Sequence, residues 1–190
     1  MNHKKFDSQK LQKLNNPQRL IDIPPDYIQG KLNIGDSDVI VEIGAGTAFF
    51  SIAFHRQLKA STTYACDISD IMIAWIKKNV TPIHPNIIAI KNRENSVPLD
   101  SGFADLVFMI VLHHELDNPP MILDESYRIL KPGGKIFIVD WKKEDMNEGP
   151  PPKIRYLPEQ IKDQLMKSQF NDVCIFNELP KHSLIIGKKE

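Results

Sequence analysis

The segment VIVEIGAGTAFFS, residues 39–51, constrains the fold of this chain more than any other stretch. A β-branched apolar run leads straight into Gly44 and Gly46. Beyond them Phe49, Phe50, Ile52, Ala53 and Leu58 recur at helical spacing up to Lys59. TTYACD, residues 62–67, reads as a second short buried strand, so the three pieces form a strand–helix–strand unit. The alternation continues with SDIMIAWIKKNV, opened by Ser69 as a helix cap, then NIIAI, DLVFMIVL, a helix near 119–130 and the strand KIFIVD. Alternating elements of this length predict a parallel sheet covered by helices on both faces. The tail differs. YLPEQIKDQLMKSQF predicts an amphipathic helix, and DVCIFNEL and HSLIIGKK predict two strands in a hairpin-like antiparallel edge.

With 190 residues and no long apolar run, one domain with a single core is expected, here residues 31–190. Residues 1–30 are expected to lay one or two short helices over the opening of the fold, as a lid. Lysine plus arginine equal aspartate plus glutamate at 24 each, so no global charge draws the chain to nucleic acid or an anionic membrane. The polar start MNHKKFDSQK lacks the apolar stretch of a secretory signal, which predicts a cytoplasmic protein. Cys66 and Cys174 fit neither a zinc nor a redox spacing and are read as reduced.

The ligand of the glycine turn can be narrowed from its neighbours. In open α/β sheets ligands sit beyond the carboxyl ends of the strands, often at the first turn. Two glycines alone do not decide the matter, because such turns also follow strands for steric reasons. The third glycine of a dinucleotide fingerprint is replaced by Phe49, which counts against NAD or FAD. Glu42 would repel a pyrophosphate but suits an ammonium group. Asp67 closes the second strand about twenty residues on, where a carboxylate accepts both hydroxyls of a ribose; the alternative is a helix cap, a role open to Ser69. A ribose, no pyrophosphate and a cationic amino-acid end describe S-adenosylmethionine.

VEIGAGTAFFS, ACDIS, VPLDSGFADLVFMIVLHHELDNP and RILKPGGKIFIVDWKKE, in this order and spacing, resemble the motifs of class I S-adenosylmethionine-dependent methyltransferases of the ubiquinone/menaquinone-biosynthesis-like branch. The resemblance covers roughly residues 37–188. It implies a Rossmann-like, seven-stranded, mostly parallel α/β sheet with an antiparallel last strand, and transfer of a methyl group to a small-molecule acceptor. By the same resemblance Glu42, Gly44, Ala45, Gly46 and Thr47 surround the methionine moiety, Asp67 the ribose, Ile68 and Met72 the adenine face, and Ile110 the cofactor from the fourth strand. One stretch departs from the pattern: Arg93-Glu94 stand where the family often has an acid and a small residue, so Arg93, Glu94 and Asn95 are expected around the adenine, with Glu94 or Asn95 accepting from its amine and a backbone N–H serving the ring.

His113, His114 and Glu115 carry metal-ligand chemistry, but adjacent residues at a strand end diverge and no metal site is expected. The pair is expected to face the acceptor, His114 as the catalytic group and His113 as a substrate contact, or else one histidine packs and the other bonds to the loop. DNPPM, 117–121, superficially resembles a nucleic-acid methyltransferase signature; Asn118 as cap and Pro119 at the first helical position account for it. Trp141 and Tyr156, around the proline run EGPPPK, are expected to wall the acceptor pocket. A monomer or homodimer suits the size. Two other functions stay open: a module that binds an adenosine ligand without turnover, and a nicotinamide-dependent reductase, to which Phe49 and Glu42 are the objections.

Overall fold

The computed structural model describes residues 11–35 and 37–190; the part of the lid expectation that falls on residues 1–10 lies outside them. Three short helices come first, α1 (Leu11–Leu14), α2 (Gln18–Asp22) and α3 (Pro25–Leu32). Then follow β1 (Val39–Ile43), α4 (Phe49–Gln57), β2 (Thr62–Asp67), α5 (Asp70–Asn79), β3 (Ile87–Lys91), β4 (Ala104–Ile110), α6 (Pro119–Ile129) and β5 (Leu130–Trp141). The chain ends with α7 (Pro158–Lys167), β6 (Asn171–Phe176) and β7 (His182–Lys188). Where one or two leading helices are expected, the described residues hold three. The lid boundary at residue 30 falls inside α3, because Ile28 and Leu32 are both fully buried in the core with Phe54, Phe108 and Phe137.

The seven strands run in the order β3-β2-β1-β4-β5-β7-β6. β1 to β5 are parallel, and β7 is antiparallel to both of its neighbours. The terminal hairpin therefore does not hang on the edge through β7. Its last strand enters between β5 and β6, and β6 takes the edge. The burial fits this placement: SLIIG in β7 is buried throughout, whereas β6 has one buried residue, Val173. A strand buried on both faces belongs inside a sheet.

Alternate residues of the central strands feed two cores. Ile40, Leu106, Phe108, Phe137, Val139 and Leu184 pack with α3 and α4, where Phe108 and Phe137 stack at 5.0 Å under Phe54. Val41, Ile43, Val107, Met109, Ile136 and Ile138 pack with α6 and α7. The strand order reverses between β1 and β4, so their carboxyl ends splay apart and open the crevice in which a ligand is expected.

Candidate active site

A cavity of about 930 Å³ opens at that crevice. β1 delivers Glu42 and then the turn Gly44-Ala45-Gly46. Gly44 and Gly46 have φ of +76° and +55°, which side-chain-bearing residues rarely adopt, and a Cβ on Gly44 would meet the Leu112 side chain at 2.6 Å. Gly44 and Ala45 N–H donate to the Cys66 carbonyl, and Gly46 N–H donates to Asp67 Oδ2 at 2.8 Å, so β2 holds the turn. Asp67 also accepts from Ser69 N–H at 2.8 Å, while Ser69 accepts from Met72 N–H as the helix cap. Burial pushes the Asp67 carboxyl up, against the pull of those N–H groups and of Lys91. Asp67 thus lines the cavity and ties the turn together, and Ser69 performs the capping.

Glu42 is almost completely enclosed. Burial drives its carboxyl up to about 8, with the Asp67 charge adding to the rise, although the Ser51 hydroxyl donates to it and the Arg19 charge pulls the other way. A buried carboxyl of this kind is stabilised in its charged form by a bound cation. Arg19, from α2, reaches back over the Phe50 ring at 4.6 Å and the Phe49 ring at 5.7 Å, and donates to the Leu14 carbonyl at 2.6 Å. Phe49, which occupies the place of a third glycine, is therefore part of the seat on which the leading helices rest. Leu14, Gln18, Arg19, Asp22 and Ile23 all line the cavity.

Ile68, Ser69, Met72, Asn92 and Glu94 line one end. Asn92 donates to the Arg93 carbonyl at 2.9 Å, and its own buried Oδ1 has no partner among the described residues. Arg93 and Asn95 do not line the cavity, and Arg93 pairs with Ser96 in a tight exposed turn. The expected adenine contacts at 93 and 95 are corrected by this turn, which directs Asn92 and Glu94 inward. Thr47 is also off the lining: it is buried, with its hydroxyl unpartnered among the described residues.

At the other end Ile110, Val111 and Leu112 leave β4. Val111 has φ of +57°, a conformation costly for a β-branched residue. This bend turns the chain into a single 3-10 turn, His113–Glu115, and sends the two histidines apart. His114 Nδ1 lies 2.8 Å from Asp140 Oδ1, and His114 N–H donates to Asp140 Oδ2 at 2.9 Å. Burial works against a charged His114 ring, yet the bond and charge of Asp140 outweigh it and raise its pKa. Burial likewise opposes ionisation of Asp140, but His114 holds its carboxyl below the usual range. His113 instead meets Gln164 Oε1 at 2.7 Å and the Tyr156 ring at 5.0 Å, edge on, and burial lowers its pKa. The substrate roles expected of His113 and Tyr156 are corrected accordingly: both pack between the 3-10 turn and α7, off the cavity lining.

Trp141, at the end of β5, does line the cavity. The proline-rich loop after it is fastened by Arg155, which donates to the carbonyls of Pro150, Lys142, Glu144 and Glu148. Gly149, Pro150, Pro151 and Ile154 from this loop complete the wall. His182, at the start of β7, stands across the ladder from Trp141. Asp140, His182, Arg19 and Asn92 were not singled out from sequence. Asp140 had a signal, since it closes the apolar run KIFIVD as Asp67 closes TTYACD; the others depend on register and on the return of α2.

Among the described residues no group of three or more His, Cys, Asp or Glu is placed to hold a metal ion, and no helix is long and apolar enough to cross a membrane. Cys66 and Cys174 are both free.

A methyltransferase domain model matches residues 41–138, more than half of the chain. The chain is similar to a methyltransferase-like protein of Schizosaccharomyces pombe, 30% identical over 123 residues that cover 63% of this chain and 44% of that one. It is also similar to a ubiquinone/menaquinone biosynthesis C-methyltransferase of Hydrogenovibrio crunogenus, 26% identical over 161 residues, 83% of this chain and 56% of the relative. The chain thus spans about half the length of these two relatives. Among solved structures, an S-adenosylmethionine-dependent methyltransferase from Aquifex aeolicus superposes with a TM-score of 0.90 at 26% identity, covering 98% of this chain and 100% of that one. The turn at β1, the carboxylate ending β2 and the matched domain agree: the chain belongs to the methyltransferase domain family, with the class I S-adenosylmethionine-dependent fold.

Proposed function

We propose that this protein transfers the methyl group of S-adenosylmethionine to a small-molecule acceptor, with His114, positioned by Asp140, taking the acceptor's proton. The observation that carries this reading is one cavity that joins the Gly44–Gly46 turn and Asp67 at one end to His114 and Trp141 at the other. Its residues fit the cofactor. Glu42 suits the ammonium group, Asp67 the ribose, Ile68 and Met72 the adenine face, and Asn92 Oδ1 the adenine amine. Glu42, a buried carboxyl at the turn whose charged form is favoured only beside a cation, offers nothing to a pyrophosphate, which argues against a nicotinamide cofactor. The bound sulfonium supplies an electrophilic methyl group.

The protein's part is orientation and exclusion of water, worth roughly 7–11 kcal/mol when geometry is right. The leading helices and the Arg155-fastened loop close two sides of the cavity. Asp140 accepts from His114 Nδ1–H, which leaves Nε2 as the basic nitrogen. That arrangement distinguishes an enzyme from a module that only holds an adenosine ligand, because binding alone needs no oriented base. The test is incubation with methyl-labelled S-adenosylmethionine and a fractionated metabolite extract. Label transferred by the wild type and lost in His114→Gln supports the reading; S-adenosylhomocysteine binding with no transfer to any fraction overturns it in favour of the binding module.

A further inference from the structure

His182 is 2% exposed, lines the cavity, and has no hydrogen-bond partner for either ring nitrogen among the described residues. Buried polar groups are nearly always paired, so an imidazole with two unpaired nitrogens on a cavity wall is matched to something that enters the cavity. The ring cannot swing away, because it packs on Trp141 at 4.4 Å between centroids. Trp141 is itself fixed: a Cβ on Gly149 would meet its ring at 2.9 Å, and Arg155 lies 5.6 Å from it.

The surroundings define what fits. Asp22, Lys181, Arg19 and Asp140 are the charged groups around His182. Lys181 bonds both Asp22 at 3.0 Å and Glu148 at 2.7 Å, and Asp140 is engaged by His114, so three of these groups already have counter-charges. Arg19 is spread over Phe49 and Phe50. Burial holds the His182 ring neutral, its pKa lowered to about 4. A neutral imidazole offers one N–H donor and one nitrogen acceptor, the complement of a hydroxyl group. Trp141, Ile23, Pro150, Pro151 and Ile154 contribute apolar surface to the lining.

We propose that His182 and Trp141 form the acceptor-recognition surface, and that the acceptor is an uncharged, apolar molecule whose hydroxyl group hydrogen-bonds the His182 ring. This assignment rests on the reading of the cavity as a methyl-transfer site. A hydroxylated acceptor supplies the nitrogens with partners; a hydrocarbon leaves them unpaired, and a charged molecule gains no counter-charge from the neutral ring.

Phenol, toluene, benzylammonium and benzoate serve as probes, with dissociation constants measured by saturation-transfer NMR on the full chain saturated with S-adenosylhomocysteine. Phenol is expected to bind about tenfold more tightly than toluene, the span of one net hydrogen bond. His182→Phe is expected to narrow that ratio to within about twofold while S-adenosylhomocysteine affinity and melting temperature hold, since an apolar ring there leaves nothing unpaired. His182→Gln is expected to restore part of the preference and keeps the test open should the phenylalanine variant misfold. Equal binding of phenol and toluene by the wild type, a preference that survives in His182→Phe, or tighter binding of benzylammonium or benzoate than of phenol overturns the proposal. Failure of S-adenosylhomocysteine to bind strikes the methyltransferase reading instead, and the phenol-to-toluene ratio, measured without it, still judges His182.

Discussion

Glu42 is a carboxyl enclosed by protein, and its chemistry follows from that enclosure. Its folded pKa of about 8 lies above the ordinary 4.5, so the folded state binds more protons than the unfolded chain between these values. Stability is therefore expected to fall as pH rises through that window, by on the order of a few kcal/mol, and Glu42→Gln to flatten the dependence in urea unfolding. An ammonium ligand favours the ionised form, so S-adenosylhomocysteine affinity is expected to rise over the same window in calorimetry; a flat profile removes the ammonium assignment. At His114 the shift runs in the same direction. A base must be neutral, and its pKa is raised, so the acid limb of kcat is expected above 6.5. Asp140→Asn is expected to move that limb to lower pH, with turnover down roughly 10²–10⁴-fold. Asp67→Ala should weaken cofactor binding and also loosen the turn, since Gly46 and Ser69 N–H lose their acceptor. Glu42, Asp67 and His114 could be singled out from the residues because their types and places at strand ends carry the chemistry. His182 could not, because its significance comes from facing Trp141 across a strand pair.

Two elements wall the cavity, and each is held by a different device. The loop 142–154 depends on Arg155, which donates to four of its carbonyls. Arg155→Met is expected to cost roughly 2–4 kcal/mol and to raise hydrogen exchange across this loop before the sheet opens. The leading helices divide at residue 23. Ile23, Ile28 and Leu32 are core residues, while Leu14, Gln18 and Arg19 only face the cavity. A chain lacking residues 1–22 is thus expected to fold, bind S-adenosylhomocysteine and lose turnover. One lacking residues 1–33 removes three buried side chains, worth about 2–5 kcal/mol each, and is expected not to fold. Circular dichroism and turnover of the two truncations check both outcomes; full turnover of the shorter deletion excludes a lid.

For the whole molecule the decisive measurement is thermal. At a hundredfold excess over its dissociation constant S-adenosylhomocysteine contributes about 2.7 kcal/mol, a rise of roughly 5–10 °C, whereas NAD and NADP are expected to leave the melting temperature unchanged. Stabilisation by NAD at the same concentration would put the cofactor in doubt. The alternation of elements, the parallel core and the glycine turn were legible in the sequence because each is dictated by residues close together in the chain: a period of two or 3.6, a cap, a residue without Cβ. The four spaced motifs added the family and with it the strand count. What only the tertiary structure decided depends on residues distant in sequence. β7 entered between β5 and β6 because its SLIIG run needs two covered faces, α3 joined the core because Phe54 and Phe108 receive it, and the turn after β3 chose Asn92 over Arg93. The separation of His113 from His114 came from one bend at Val111. The joining of His114 with Asp140, and of Trp141 with His182, came from strand register, which side-chain periodicity leaves open until the strands are paired.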